Sequence, residues 1–221
     1  MPPQSKFTVL DETLYQYMVA HRTPDDEVAR ELREETARLG SRSTMQISPD
    51  QATLLRILVS AIGARQAIEV GTFTGYSALA IARGLPPDGH LLCLDVSDEW
   101  TQIARRYWER AGLAEHIELR LGPAAETLHA LREEATFDFA FIDADKPGYP
   151  VYWDALVRRL RPGGLVAVDN VLWDGEVVET DKRGADLLAI RRFNELVLDD
   201  RRVESVMLPV ADGLTLARKL P

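Results

Sequence analysis

Short apolar runs alternate with helix-period segments through most of this 221-residue chain, and that alternation is its strongest constraint. The runs fall at Ala67–Val70, Leu91–Leu94, Ile117–Leu121, Phe137–Ile142 and Gly164–Val168. The helical segments are roughly Tyr76–Arg83, Glu99–Ala111, Ala124–Glu134, Tyr149–Leu160 and Asp186–Leu198. A strand that is apolar at consecutive positions is covered on both faces, and a helix between strands is the crossover that parallel pairing requires. The pattern predicts an α/β fold with a doubly wound, mostly parallel sheet. The end of the chain breaks the rhythm. Val203–Pro209 and Leu214–Lys219 flank Ala211-Asp212-Gly213, a hairpin signal, so the last strand is expected to run antiparallel.

The start of the chain reads differently. From Thr8 to Leu39 the spacing is helical, Thr23-Pro24 splits it in two, and Gly40 ends the second helix. Residues 1–47 are therefore expected to form a helical extension and lead-in to a core at 48–221, within a single domain. Ser48-Pro49-Asp50-Gln51 opens a third helix, with Ser48 as cap, Pro49 at the first helical position and Gln51 at capping-box spacing.

Composition excludes several classes. Lys and Arg number 26 against 35 Asp and Glu, a net charge of −9, which argues against a protein that coats nucleic acid by counterion release. An apolar fraction of 46% supports a buried core. The single cysteine, Cys93, forbids an intramolecular disulfide and fits a reducing compartment. The most apolar stretch, Leu54–Ala64, is interrupted by Arg56 and falls short of the roughly 20 residues a membrane helix needs. The opening Met1–Lys6 leads into no apolar segment of a secretory signal, and the expectation is a soluble cytoplasmic protein. His21, His90, His116 and His129 are scattered without partners at ligand spacing, and Arg105-Arg106, Arg158-Arg159, Arg191-Arg192 and Arg201-Arg202 read as solvated helix faces.

The acids are placed more tellingly than they are counted. Ligands of an open parallel sheet bind outside the carboxyl ends of the strands. Those ends carry Glu69 with Gly71, then Asp95, then Asp143, then Asp169 with Asn170. The first strand leads into Glu69-Val70-Gly71-Thr72-Phe73-Thr74-Gly75, a glycine turn that lets backbone approach a ligand, with a helix N-terminus behind it. Asp95 ends the second strand, where an acid binds a ribose diol. A carboxylate just before the turn repels a pyrophosphate and favours a cation, which points away from a nicotinamide dinucleotide and toward S-adenosylmethionine. Asp143, Asp169 and Asn170 offer two carboxylates and an amide oxygen, an all-oxygen set suited to Mg²⁺.

Met45-Gln46-Ile47-Ser48-Pro49, the segments Ile68–Ala82, Phe137–Lys146 and Gly163–Trp173, and the closing Leu208–Lys219 resemble the cation-dependent class I O-methyltransferases of the catechol and caffeoyl-CoA type. The resemblance implies a Rossmann-like seven-stranded sheet whose final strand is antiparallel. By matching position it implies that Met45, Glu69, Gly71, Ser77, Asp95, Ala124 and Asp143 contact S-adenosylmethionine. It likewise implies that Asp143, Asp169 and Asn170 hold the metal and that Lys146 is the catalytic base. Trp173 is placed to flank an aromatic substrate. One departure stands in Lys146-Pro147-Gly148-Tyr149, where the family often has Asn in place of Gly148. The implied activity is Mg²⁺-dependent methylation of one hydroxyl of a catechol-type molecule by a homodimer. A tRNA-modifying O-methyltransferase on the same scaffold is the alternative.

Overall fold

The computed structural model describes residues 8–134 and 136–221; the opening residues 1–7, where no secretory signal was read, lie outside the described residues. Helices α1 (Glu12–Ala20) and α2 (Glu27–Ala37) come first, capped by Asp11 and Asp26, whose side chains accept from the Leu14 and Ala29 N–H groups. The chain between them carries Pro24, as the break in periodicity predicts. No residue of α1 is buried, whereas α2 buries Ala29, Leu32 and Thr36. The second helix is thus part of the core and the first lies on its surface. A 3₁₀ turn over Gly40–Met45 leads to α3 (Pro49–Ala61).

Strand and helix then alternate. The elements are β1 (Gln66–Val70), α4 (Tyr76–Gly84), β2 (His90–Asp95), α5 (Asp98–Arg110), β3 (Ile117–Leu121), α6 (Ala124–Ala130), β4 (Phe137–Ile142), α7 (Tyr149–Arg159), β5 (Leu160–Val168), α8 (Ala185–Asp199), β6 (Val203–Leu208) and β7 (Leu214–Lys219). They form one seven-stranded sheet in the order β3-β2-β1-β4-β5-β7-β6. The β1–β2, β1–β4, β2–β3 and β4–β5 pairs are parallel. β7 runs antiparallel to both β5 and β6, as the closing hairpin predicts.

Period-2 alternation divides the strand side chains between two cores. Ala67, Leu91, Cys93, Phe139 and Phe141 pack with Leu32, Leu55 and Leu79 from α2, α3 and α4. Ile68, Val70, Leu92, Leu94, Ala140 and Ile142 pack with Trp153 and Phe193 from α7 and α8. Trp153 meets Phe193 edge-on at 5.6 Å between ring centroids, a geometry contributing about 1 kcal/mol beyond its buried area. Since both faces of the sheet are covered at its centre, strands β1, β2 and β4 read as near-continuous apolar runs.

Three local expectations change. Helix α6 stops at Ala130 rather than Glu134, and the buried Arg159 guanidinium donates to the Leu131 and Arg132 carbonyls just past its end. Arg159 is 3% exposed and is therefore no solvated face. The capping box at Ser48 is only half formed: Ser48 accepts from the Gln51 N–H, while the Gln51 amide is buried without a hydrogen-bond partner.

Asp138 in β4 anchors the start of β1. Its Oδ2 accepts from the Arg65 and Gln66 N–H groups at 2.8 and 2.9 Å, and Arg161 donates to Oδ1. Burial pushes this carboxyl up, but the two backbone donors and Arg161 outweigh burial and hold it below its ordinary value. A depressed carboxyl contributes stability above its unfolded pKa of about 4 and loses it as pH falls through the folded value. Asp138→Ala is expected to cost about 1–3 kcal/mol at pH 7, with the difference from wild type shrinking below about pH 4. Thermal melts of both proteins between pH 7 and 3 check it.

Candidate active site

At the carboxyl edge of the sheet lies a cavity of about 1040 Å³. Met45, Gly71, Ser77, Asp95, Ala124, Asp143, Lys146, Asp169, Asn170 and Trp173 all line it, so residues spread over the length of the core meet in one place. Glu69 does not line the cavity and is fully buried in β1 beneath it, paired in register with Cys93 and Phe141.

The glycine turn forms one wall. Gly71 has φ +90°, and a Cβ there would stand 1.8 Å from the Asp143 carbonyl oxygen, so only glycine lets the ends of β1 and β4 close together. Phe73, with φ +52°, also holds the left-handed conformation, a costly one for an aromatic residue. Asp95 restrains it. Its Oδ2 accepts from the Thr72 and Phe73 N–H groups at 2.8 Å each, and its Oδ1 from the Ser97 N–H at 2.8 Å. A carboxylate has about four acceptor positions, so capacity remains toward the cavity.

Several buried polar atoms here have no partner within the chain: Gln46 Oε1, both Gln51 amide atoms, Glu69 Oε1 and Thr72 Oγ1. Gln46, Gln51 and Thr72 line the cavity and Glu69 underlies it. Uncompensated polar atoms are costly and rare, so their clustering marks where a polar ligand completes the structure. Burial pushes the Glu69 carboxyl up to about 8, against the opposing pull of the neighbouring Ser77 and Cys93 side chains. Burial also holds the Cys93 thiol protonated, and it donates to Glu69 Oε2 at 3.6 Å.

Beyond the turn, Lys146 gathers the residues that follow β4 and β5. Its Nζ donates to Asn170 Oδ1 at 2.6 Å, to the Tyr149 hydroxyl at 2.7 Å and to Asp143 Oδ1 at 3.2 Å. Tyr149 in turn donates to the Asp169 carbonyl at 3.2 Å. Asp169 Oδ1 accepts from the Asn170 N–H at 2.7 Å. Burial raises the Asp169 carboxyl to about 7, and the nearby Asp143 charge adds to it. Burial likewise raises Asp143; Lys146 pulls it back, and Asp212 pushes it up again. Two shielded carboxyl groups that are both raised are short of positive charge. Among the described residues no group of three or more His, Cys, Asp or Glu gathers for a metal, so a cation here would take its third oxygen from the Asn170 amide. The donor set fits a hard divalent ion.

Four residues of this region escaped the motif reading. Gln51 looked like a helix cap, and Thr72 like turn filler. Tyr149 gave no signal beyond a helix start. Asp212 looked like a turn residue, yet its carboxylate accepts from the Asn170 amide at 3.4 Å and the Asp174 N–H at 2.6 Å. Only the aspartate of the hairpin carried a usable sign, as one more acid at the same sheet edge.

The sequence model of the O-methyltransferase family matches residues 19–220. The chain belongs to that family. The enzyme is 39% identical to the Mus musculus catechol O-methyltransferase domain-containing protein 1, over 100% of this chain and 82% of that one. It is 38% identical to caffeoyl-CoA O-methyltransferase 2 of Zea mays, over 97% of this chain and 86% of the maize protein. The solved O-methyltransferase of Bacillus cereus, in complex with S-adenosylhomocysteine, superposes with a TM-score of 0.84 at 34% identity, covering 94% of this chain and 97% of that one. TomG of Streptomyces achromogenes, solved with S-adenosylmethionine, gives a TM-score of 0.84 at 31% identity, covering 95% and 96%. The enzyme is an S-adenosylmethionine-dependent O-methyltransferase of the caffeoyl-CoA type. Among the described residues no helix is long and apolar enough to cross a membrane.

Asp95→Ala leaves the Thr72, Phe73 and Ser97 N–H groups without their acceptor. The substitution is expected to cost about 2–4 kcal/mol of stability and to weaken S-adenosylhomocysteine binding more than tenfold. Denaturant melts and titration calorimetry measure the two effects.

Proposed function

We propose that the enzyme methylates one hydroxyl of a small catechol-type molecule, with a divalent cation such as Mg²⁺ held by Asp143, Asp169 and Asn170, and with Lys146 as the base. The observation that carries this reading is the meeting of Lys146 Nζ with Asp143 and Asn170 on the wall of the cavity that Asp95 and the glycine turn also line. When bound, S-adenosylmethionine supplies a methyl group on a sulfonium, and the divalent cation supplies a Lewis acid for two adjacent oxygens.

The remaining work falls to the chain. Lys146 Nζ takes the proton of the reacting hydroxyl. In the structure Nζ is held at the cavity wall by the oxygens of Asn170, Tyr149 and Asp143, contacts that fix where the proton is received. Asp95 fixes the glycine turn and, with its remaining acceptor capacity, meets the ribose. Met45, Gly71, Ser77 and Ala124 contact the cofactor. Trp173 lines the same cavity and flanks the acceptor ring. The methyl group passes directly to the acceptor oxygen in this reading, so rate enhancement rests on positioning and charge. The names of the mouse and maize relatives support a small phenolic acceptor over tRNA.

A panel of catechols, caffeoyl thioesters and bulk tRNA, assayed with Mg²⁺ and with excess EDTA, tests the reading. Transfer to the phenolic acceptors is expected, and EDTA is expected to abolish it. Lys146→Ala should lower kcat by about 10²–10⁴ while S-adenosylhomocysteine binding stays near wild type. Undiminished turnover in EDTA or in the lysine variant would remove the cation or the base from the mechanism, and transfer to tRNA alone would replace the acceptor class.

A further inference from the structure

The glycine turn carries one strained residue, Phe73, and it is held from two sides. Gly71, Phe73 and Gly75 all have positive φ, three left-handed conformations within five residues. Asp95 restrains the turn from the β2 side. The opposite side is restrained by α2 and the chain around it, segments outside the nucleotide-binding pattern.

Two polar ties make that restraint. Thr36 of α2 and Thr74 of the turn are both 0% exposed, and their hydroxyl oxygens lie 2.9 Å apart. Thr36 Oγ1 is also 2.9 Å from the Leu32 carbonyl. A hydroxyl carries one proton, so with the Thr36 proton given to that carbonyl, Thr74 donates to Thr36. The second tie is at Tyr76, the first residue of α4. Its hydroxyl donates to Asp25 at 3.0 Å, and Arg22 and Arg33 hold the same carboxylate. Farther along, Arg42 stacks over the Trp100 ring at 5.1 Å, and Trp100 packs on Phe73 at 5.5 Å.

We propose that Asp25 and Thr36 are positioning residues for the cofactor, acting through Tyr76 and Thr74 to keep the glycine turn in its binding conformation. Neither residue lines the cavity, whereas Phe73, Thr74 and Tyr76 do. Apparent affinity equals intrinsic affinity multiplied by the fraction of molecules whose site is competent. A strained turn released from one anchor spends less time competent, so the cofactor binds more weakly although no contact to it is removed. The helical extension thereby acquires a function: α2 serves as the far wall of the turn's conformational lock.

The test is S-adenosylhomocysteine titration of the full chain by calorimetry, paired with thermal melts and steady-state kinetics. Thr36→Val keeps the shape and removes the hydroxyl, and Thr36→Ser restores it. Asp25→Leu removes the acceptor for Tyr76, and Asp25→Asn restores one. Thr36→Val and Asp25→Leu are each expected to raise the dissociation constant about tenfold. They should raise KM for S-adenosylmethionine and leave kcat near wild type, and Ser and Asn should recover most of the loss. Amide exchange over residues 71–77 should be faster in the apo variants and return to the wild-type rate at saturating S-adenosylhomocysteine. Should Thr36→Val not fold, the Asp25 pair decides by the same measurements. Wild-type affinity in a folded variant whose melting temperature has fallen would overturn the proposal, because it assigns both contacts to stability alone. Failure of Ser or Asn to rescue would overturn it equally.

Discussion

The contact between Gly71 and the Asp143 carbonyl governs the rest of the site. Strand order places β4 beside β1, and a glycine at the end of β1 lets the two strand ends close until no Cβ would fit between them. The turn after β1 and the Asp143–Lys146 segment after β4 therefore open onto one cavity. Were position 71 to carry any side chain, the two segments would splay apart, and the proposed cofactor and acceptor sites would no longer adjoin.

That closeness gathers like charge. Burial raises both Asp143 and Asp169, Asp143 adds to the shift of Asp169 and Asp212 to that of Asp143, and Glu69 is buried as a neighbouring acid under the cavity. Lys146 answers part of the excess, and the orphaned amides of Gln46 and Gln51 mark further unmet polar demand. A cavity that is acidic and incompletely satisfied is adapted to positively charged ligands. A sulfonium cofactor and a divalent cation answer the same physical demand, and so one sheet edge accommodates both. Far from the cavity, Glu204 opposite Arg218 is an ordinary surface pair.

Strand ends were legible because parallel strands terminate at one edge by construction. Asp95, Asp143, Asp169 and Asn170 each follow an apolar run, and counting runs was enough to place them together. The closing hairpin was legible for a similar local reason, a turn signal between two alternating segments. Residues that act across long separations carried no such mark. Thr36 and Thr74 are 38 positions apart, and Asp25 and Tyr76 are 51 apart. In the sequence each looks like an ordinary polar residue of a helix or turn. Arg159 was misread for the same reason: its carbonyl partners Leu131 and Arg132 come from the segment after α6, and an arginine pair late in a helix resembles a solvated face.

Periodicity, turn chemistry and the spacing of acids by themselves determined the layered sheet, its antiparallel last strand and the edge on which the charged residues stand. These are consequences of local rules, since apolar period and glycine placement act within a few residues. Only the tertiary structure decided which polar atoms were left unpartnered and which oxygens Lys146 meets. It also decided that Glu69 lies under the cavity and that α2 braces the glycine turn. Each of those depends on distances between segments remote in the chain. Such distances are set by how the two apolar faces of the sheet are covered, and no local pattern encodes them.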